Sequence, residues 1–265
     1  MKRAVRRVRA SAGHTLLEFT IAVALGLVVM AGALAAWRSQ RQAFAAAIDA
    51  ARIHEAGVNA LMLMGEQIQM AGFVGADASS ALAGPPIFGC TGGRPTGTNA
   101  SLTCEALPNR SDGFAVRYRG DGESTWLAAN GQVTDCLGQA VGPPPAEVLN
   151  RFHAKASSST GEPELYCEGS GKAGTAQPLV EGVERMRVRY WLPGAAQAVD
   201  AAALSRDQWA SVVAVDLCVL VRGAPFARRV RYVDCDGASL SATDGRVRQA
   251  FWRHVALRNV LEANS

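Results

Sequence analysis

Hydrophobic positions form one long unbroken run near the N-terminus and shorter alternating runs in the second half of the chain. From Phe19 to Trp37 no residue is charged, and Thr20 is the one polar side chain. As an α-helix this segment is about 28 Å long, which is close to the thickness of the hydrocarbon core of a bilayer. The pattern therefore predicts a transmembrane helix over residues 14–37.

The helical pattern continues beyond the membrane segment. No proline interrupts residues 38–72, and apolar residues recur there at the spacings of an amphipathic α-helix. These apolar positions are Phe44, Ile48, Ala51, Val58, Leu61, Met62, Met64 and Ile68. Gly72 and Gly75 end the pattern. We expect this second half of the helix to pack against a sheet.

The chain after the helix predicts a β-rich globular domain at residues 73–265. Several segments alternate between apolar and polar residues or are rich in β-branched residues, which is typical of strands. These strands are predicted at residues 113–119, 184–192, 211–221, 228–233 and 246–257. Residues 125–128 are predicted to pair with the first strand, and the glycine- and proline-rich stretches 76–112 and 136–180 to form long loops. One long helix followed by an antiparallel sheet predicts an α+β fold.

Positive charge is concentrated at the N-terminus. The chain has 27 basic and 23 acidic residues, and five of the basic ones precede residue 10, namely Lys2, Arg3, Arg6, Arg7 and Arg9. Because the cytoplasmic flanks of membrane helices are enriched in Lys and Arg, we expect the N-terminus in the cytoplasm and the β-rich domain outside it. A cleaved secretory signal fits less well, since the apolar run is long and no A-x-A site followed by polar mature sequence appears after Trp37.

The remainder of the chain is nearly neutral, which gives no indication of binding to nucleic acid. Two groups of arginines lie in predicted strands, at positions 185, 187 and 189 and at positions 228, 229 and 231. No exposed aromatic residues are interleaved with them, as stacking on bases would require. We therefore interpret these arginines as a solvated face or a subunit contact.

Six cysteines follow the membrane segment, at Cys90, Cys104, Cys136, Cys167, Cys218 and Cys235. They form no C-x-x-C motif, which disfavours a zinc site. An even number of cysteines beyond a membrane segment favours disulfides in an oxidising compartment. Pairing of sequence neighbours gives 90–104, 136–167 and 218–235, the last within an expected hairpin of two strands. Other connectivities and free buried thiols stay open at this point.

The sequence offers no catalytic constellation. The four histidines are scattered, and no nucleophile-elbow, H-E-x-x-H, Walker or G-x-G-x-x-G motif is present. The acidic turns at 120–123 and 234–237 lack the alternating oxygen ligands of an EF-hand. We predict that the protein is not an enzyme and holds neither a metal nor another cofactor.

Residues 13–26, GHTLLEFTIAVALG, resemble the type IV prepilin signal, in which a basic leader and a glycine precede a glutamate and a hydrophobic stretch. Thr15, Leu16 and Glu18 match that pattern. There are two departures, since His14 replaces the usual phenylalanine and Ala35 stands where many pilins have a proline.

The resemblance implies processing at the N-terminus. A prepilin peptidase would cut between Gly13 and His14, removing the leader at residues 1–13, and His14 would then be N-methylated. Glu18 would meet the free α-amino group of a neighbouring subunit and set the axial register of a filament.

The later segments QIQMAGFVG, VAVDLCVLVRG and RQAFWRHVALRN resemble the PilW group of minor pilins. That resemblance implies a single-pass inner-membrane protein with a periplasmic domain, which is incorporated into a type IV pilus or primes its assembly. The implied partners are other minor and major pilins, the prepilin peptidase, the inner-membrane assembly platform and membrane lipid. Two alternatives remain, a minor pseudopilin of a type II secretion system and a membrane-anchored periplasmic binding module or enzyme.

Overall fold

The structure, a computed structural model, describes residues 13, 15–75, 81–225 and 230–259. Its first element is the helix α1 (Leu16–Met70), which contains 55 residues. The helix ends just before Gly72, whose φ of +78° is a left-handed conformation that glycine adopts at little cost. The long N-terminal helix expected from the sequence is therefore confirmed.

The chain divides into two compact units, residues 1–48 and residues 49–265. We call the second the head unit. Among its described residues it contains 15 strands and three short 3₁₀ helices, at Ser170–Lys172, Ala201–Ala203 and Asp207–Ser211. The strands are β1 (Ile87–Cys90), β2 (Gly93–Thr98), β3 (Ser101–Ala106), β4 (Gly113–Gly120), β5 (Val133–Thr134), β6 (Ala140–Gly142), β7 (Ala146–Ala156), β8 (Pro163–Gly169), β9 (Gln177–Glu181), β10 (Val183–Trp191), β11 (Val199–Asp200), β12 (Ala214–Pro225), β13 (Val230–Val233), β14 (Ser239–Ala242) and β15 (Arg246–Ala256).

Two antiparallel sheets dominate the head unit. The larger has five strands in the order β1-β4-β7-β8-β9, and the second has four in the order β11-β10-β12-β15. The pairs β2-β3, β5-β6 and β13-β14 form separate two-stranded ribbons. The α+β class with antiparallel sheets is confirmed.

The predicted loops at 76–112 and 136–180 are wrong in large part. The first contains β1, β2 and β3, and the second contains β7 and β8, which lie inside the five-stranded sheet. The strand β7 lacks an alternating pattern because three of its polar residues, Asn150, Arg151 and His153, are buried. Buried polar residues with partners inside the protein interrupt the apolar–polar alternation, so the pattern does not predict this strand.

Two smaller expectations also change. Residues 125–128 do not pair with β4, whose edges are occupied by β1 and β7. Trp126 accepts a hydrogen bond from the Thr134 backbone instead, and Leu127 bridges Val133. The strand expected at 211–221 begins later, since residues up to Ser211 form a 3₁₀ helix.

The buried face of α1 in the head unit differs from the predicted stripe. Val58 and Met62 were expected on that face, yet each has an exposed fraction of 44%. The buried positions are Asp49, Ile53, Gly57, Ala60, Leu61, Met64, Gly65 and Ile68.

Two glycines explain the shift of the helix face. A Cβ atom at Gly57 would overlap the ring of Phe251, and one at Gly65 would lie 2.8 Å from the guanidinium carbon of Arg253. Both partners come from β15, so side chains of the strand fill the space that the helix leaves open. A hydrophobicity pattern gives glycine little weight and misses such a face.

Candidate functional site

The candidate assembly site begins at the N-terminus of α1. The backbone N–H of Thr15 donates to the Glu18 carboxylate at 2.8 Å, and the backbone N–H of Glu18 donates to the Thr15 hydroxyl at 3.3 Å. This reciprocal pair is a capping box, which satisfies two amides that would otherwise lack partners within the helix. The carboxylate also lies where the helix dipole favours a negative charge.

The apolar segment after Glu18 is exposed. Among the described residues, α1 is the one helix long and apolar enough to cross a membrane, and its most apolar window has a mean hydropathy of 2.4 with none of it buried. Phe19 and Trp37, at the two ends of the expected transmembrane segment, are exposed by 68% and 53%. This segment fits a membrane anchor.

The predicted processing site is only partly described. Gly13 is exposed, and no atom lies within 4 Å of the position that a Cβ would take there. His14 lies outside the described residues. Cleavage between the two residues and methylation of His14 therefore stay predictions.

The six cysteines form three disulfides, 90–104, 136–167 and 218–235, which is the pairing of sequence neighbours. The first joins β1 to β3, and the second joins the segment after β5 to β8. The expected hairpin for the third pair is wrong, because both edges of β12 are occupied by β10 and β15. That disulfide instead attaches the β13-β14 ribbon to the four-stranded sheet.

The β10 arginines belong to a cluster of ion pairs. Arg187 lies 3.4 Å from Asp112, 3.0 Å from Asp200 and 3.0 Å from Asp236. Arg185 contacts Asp236 at 3.2 Å. Since Asp236 directly follows Cys235, the third disulfide holds this carboxylate near the arginines. These arginines are therefore not a bare cationic face, and positions 228 and 229 lie outside the described residues.

Asp112 connects the two larger sheets. Its carboxylate accepts hydrogen bonds from the backbone N–H of Gly92 at 2.7 Å and from that of Val188 at 2.9 Å. Burial raises the pKa of Asp112, and the two backbone hydrogen bonds and Arg187 oppose that rise. The residue serves as a structural link between β10 and the turn before β2.

Two buried arginines hold the β2-β3 ribbon against the five-stranded sheet. Arg117 donates to Glu147 at 2.8 Å and to the carbonyl of Asn99, while Arg151 donates to Glu168 at 3.3 Å and to the carbonyl of Gly97. Sequence analysis missed both pairs. The arginine and the glutamate of each pair are far apart in the chain, and a single sequence does not indicate that they form an ion pair.

His153 is a second buried group that the sequence did not indicate. It is 1% exposed and stacks on Tyr166 with ring centroids 5.6 Å apart. Burial, with smaller contributions from the charges of Arg94 and Lys155, lowers the pKa of His153 from 6.5 to about 3. The imidazole is therefore neutral in the folded protein at physiological pH.

We expect this histidine to make the head unit sensitive to acid. The unfolded chain binds a proton near pH 6.5, whereas the folded chain does so only near pH 3, so stability falls as the pH drops between those values. At about pH 5 the loss amounts to about 2 kcal/mol. The measurement is urea unfolding of the full-length protein in detergent at neutral and acidic pH.

His153→Gln is the control for the acid sensitivity. This variant cannot titrate, so its free energy of unfolding should fall less between neutral pH and pH 5 by about the same 2 kcal/mol. Equal pH dependence in the two proteins would show that His153 is not responsible.

The chemistry available in the head unit is limited. Within residues 15–75, 81–225 and 230–259, no group of three or more His, Cys, Asp or Glu residues is arranged to hold a metal ion. A cavity of about 290 Å³ lies between the β2-β3 ribbon and the 3₁₀ segment before β12, with Phe88, Leu102 and Trp209 in its wall. Its buried cation, Arg117, is already paired with Glu147.

Comparison with known proteins shows a similarity in the C-terminal part of the chain. Residues 152–259 match the model of the PilW family, described as type IV pilus-assembly protein W. This part of the chain is PilW-like, and it makes up less than half of the sequence. The matched range begins within β7 and extends past β15, so it includes the four-stranded sheet and the ribbon that the third disulfide attaches.

A solved structure is also similar to this chain. It is a type IV-like pilin from Thermus thermophilus, with 14% sequence identity and a TM-score of 0.45. The similarity covers 79% of this chain and 97% of that one. No curated protein matches the chain.

Proposed function

We propose that this protein is a minor pilin that is incorporated into a type IV pilus or primes its assembly. It would be held in the inner membrane by residues 14–37, with the N-terminus in the cytoplasm and the domain at residues 73–265 in the periplasm. The role is structural, with no catalytic step. Its partners would be other minor and major pilins, the prepilin peptidase and the assembly platform.

One observation carries this proposal. No residue in the most apolar window of α1 is buried, whereas the later part of the same helix supplies core residues such as Met64 and Ile68 to the head unit. A simple anchor needs no continuous helix that extends into a folded domain. A subunit that leaves the membrane and packs its exposed apolar helix among the helices of neighbours does need one, since the apolar surface must stay covered.

Glu18 has two possible contributions, and they are separable. In the single chain its carboxylate completes the capping box with Thr15. In a filament its charge would pair with the α-amino group of a neighbour after cleavage behind Gly13. Glutamine preserves a capping box but has no charge, so it removes the second contribution and keeps the first.

The first test is therefore a pair of substitutions at Glu18. We expect Glu18→Gln and Glu18→Ala to reduce co-purification with the other pilins by a similar large factor, roughly tenfold or more, because both remove the charge. The measurement is affinity purification after membrane solubilisation, together with counts of pili by electron microscopy. Normal piliation with Glu18→Gln would contradict the charge pairing between subunits, and the capping box would then be the remaining role of Glu18.

Processing gives an independent check. We expect Gly13→Ala to retain the leader, whereas the unmodified chain should begin at His14. Mass spectrometry of the purified N-terminus distinguishes the two. A mature chain beginning at any other residue would contradict cleavage between Gly13 and His14.

A minor pseudopilin is the alternative with the same architecture. Deleting the gene should abolish piliation and leave protein secretion intact if the protein is a pilin. Loss of secretion with normal pili would favour the pseudopilin, and loss of neither would favour an anchored binding module or enzyme.

A further inference from the structure

Trp126 lies on the surface of the head unit in an unusual way. Its exposed fraction is 90%, whereas tryptophan is on average strongly buried in folded proteins. Placing a large apolar ring in water contributes nothing to the stability of the single chain. A partner that covers the ring would bury most of its apolar surface, and this burial would stabilise the complex.

The loop that carries Trp126 is tightly hydrogen-bonded. The Asp121 carboxylate accepts from the backbone N–H groups of Glu123 and Ser124, and the Thr125 hydroxyl donates to the Asp121 carbonyl at 2.7 Å. Hydrogen bonds from Ser124 lower the pKa of Asp121, so the carboxylate stays charged.

The backbone of Trp126 itself is held on its other side. Its carbonyl accepts from both the backbone N–H and the hydroxyl of Thr134, at 3.2 and 2.6 Å. The next residue, Leu127, pairs with Val133. The backbone beneath the indole is therefore organised before any partner arrives, which lowers the entropic cost of binding.

A polar pocket has Trp126 in its wall. Its volume is about 190 Å³, and its wall includes Glu66, Gln67, Tyr118, Trp126, Thr134 and Asp135. This is below the range of about 300–1,000 Å³ that drug-sized ligands occupy, so the pocket has room for a single ring. Its lining is mostly polar, which disfavours an apolar side chain from a protein partner.

Several polar groups of the pocket retain hydrogen-bonding capacity. Glu66 is exposed and presents a carboxylate acceptor. The Gln67 amide oxygen accepts from Asn150 at 2.7 Å, and that contact orients the amide so that its NH₂ group is a donor. By contrast, both oxygens of Asp135 are used by backbone N–H groups of Leu137, Gln139 and Gly171.

We propose that Trp126 and this pocket bind one pyranose ring of a β-linked saccharide. Such a ring has an apolar face of C–H groups that stacks on an indole and a rim of hydroxyl groups that both donate and accept hydrogen bonds. The carboxylate of Glu66 would accept from two adjacent hydroxyls, and Gln67 would donate to another. The site is independent of the pilin role, because it uses neither the N-terminal segment nor Glu18.

Binding is tested with two soluble probes, cellohexaose and chitohexaose, titrated into the full-length protein in detergent. We expect saturable binding of at least one probe, measured by isothermal titration calorimetry. The two probes separate recognition of the shared β-linked pyranose chain from recognition of the N-acetyl group. If neither probe binds at concentrations up to about 10 mM, the proposal is overturned.

Matched variants assign the binding to the pocket. Trp126→Ala should weaken binding roughly tenfold or more, because it removes the stacking surface. Glu66→Gln should weaken it less. The control is Trp252→Ala, which removes another exposed tryptophan, 58% exposed on β15 and outside the pocket wall.

Equal losses from Trp126→Ala and Trp252→Ala would overturn the proposal, as would undiminished binding by Trp126→Ala. Capture of a protein through Trp126 without saccharide binding would assign the ring to a protein interface instead. Near-UV circular dichroism of each variant shows that the head unit remains folded, since Trp126 makes no contribution to its core.

Discussion

Replacing Glu147 with leucine is expected to lower the free energy of unfolding of the head unit by about 3–5 kcal/mol. The reason is the position of its partner. The Arg117 side chain is 1% exposed and lies 2.8 Å from the carboxylate, while the Glu147 side chain is 17% exposed. Without Glu147 the guanidinium remains buried with only the carbonyl of Asn99 to receive its hydrogen bonds.

Arg117 and Glu147 lie on neighbouring strands, and Glu147 has a second hydrogen-bond partner. Arg117 on β4 is opposite Leu149 on β7, so it reaches Glu147 diagonally along the same face of the sheet. Glu147 also accepts a hydrogen bond from the backbone N–H of Ala83 at 2.8 Å. Removal of the carboxylate therefore leaves both a buried cation and a backbone donor without this acceptor.

A double-mutant cycle isolates the pair. Arg117→Met combined with Glu147→Leu should cost less than the sum of the two single substitutions, by roughly 1–3 kcal/mol, because no unpaired charge remains buried. The measurement is urea unfolding of the full-length protein in detergent, followed by tryptophan fluorescence. Strict additivity would show that the two side chains are not coupled.

The matched control is an exposed ion pair with the same nitrogen–oxygen distance. Arg94 lies 2.8 Å from Glu105, whose side chain is 54% exposed. Because solvent screens this pair, Glu105→Leu should cost less than about 1 kcal/mol. A similar cost for Glu105→Leu and Glu147→Leu would contradict the importance of burial.

Gly89→Ala is the second substitution with a large expected effect. A Cβ atom at Gly89 would overlap the hydroxyl oxygen of Tyr190, which is fully buried and packs edge-on against Trp209 with centroids 4.8 Å apart. The tyrosine ring cannot swing into solvent to relieve the overlap. Overpacking at such a site is expected to cost about 3 kcal/mol.

Tyr190→Phe tests how much the hydroxyl oxygen of Tyr190 contributes to the destabilisation by Gly89→Ala. Burial raises the pKa of Tyr190 well above its ordinary value, and its hydroxyl has no hydrogen-bond partner among the described residues. Removing that oxygen should therefore be neutral or stabilising by about 1 kcal/mol. In the Gly89→Ala background it should recover only part of the lost stability, because the hydroxyl oxygen is the nearest atom to the new methyl group but the Tyr190 Cζ atom would still lie 2.5 Å from it.

Gly142→Ala is the corresponding control in a strand. The nearest atom to its Cβ position is the Ala146 Cβ at 3.5 Å, which is ordinary van der Waals contact. This variant should change the free energy of unfolding by less than about 0.5 kcal/mol. If Gly89→Ala is as mild as Gly142→Ala, the overlap with Tyr190 does not destabilise the head unit.

Much of the architecture is predictable from local patterns. The uncharged segment Phe19–Trp37 and the absence of proline up to Gly72 predict α1, and the structure has it at Leu16–Met70. Alternation of apolar residues predicts β10 and β15 almost to their ends. These features follow from neighbours in the sequence, whose side chains lie on one face because helices and strands have fixed periods.

The interior polar groups were not predictable in the same way. The strand β7 has no alternating pattern because Asn150, Arg151 and His153 are buried on it. Asn150 and Arg151 are hydrogen-bonded to partners from other elements, Gln67 and Glu168, whereas His153 stacks on Tyr166. A single sequence does not show which distant residue provides that partner.

The sequence by itself therefore determined the long apolar helix and the positions of the clearest strands, while it left the pairing of the six cysteines open. Only the tertiary structure decided which face of α1 is covered, because Gly57 and Gly65 admit Phe251 and Arg253 from β15. It also brought Gln67 and Trp126 to one pocket. The physical reason is that periodicity is a local property of the chain, whereas burial and charge pairing depend on contacts between residues far apart in sequence.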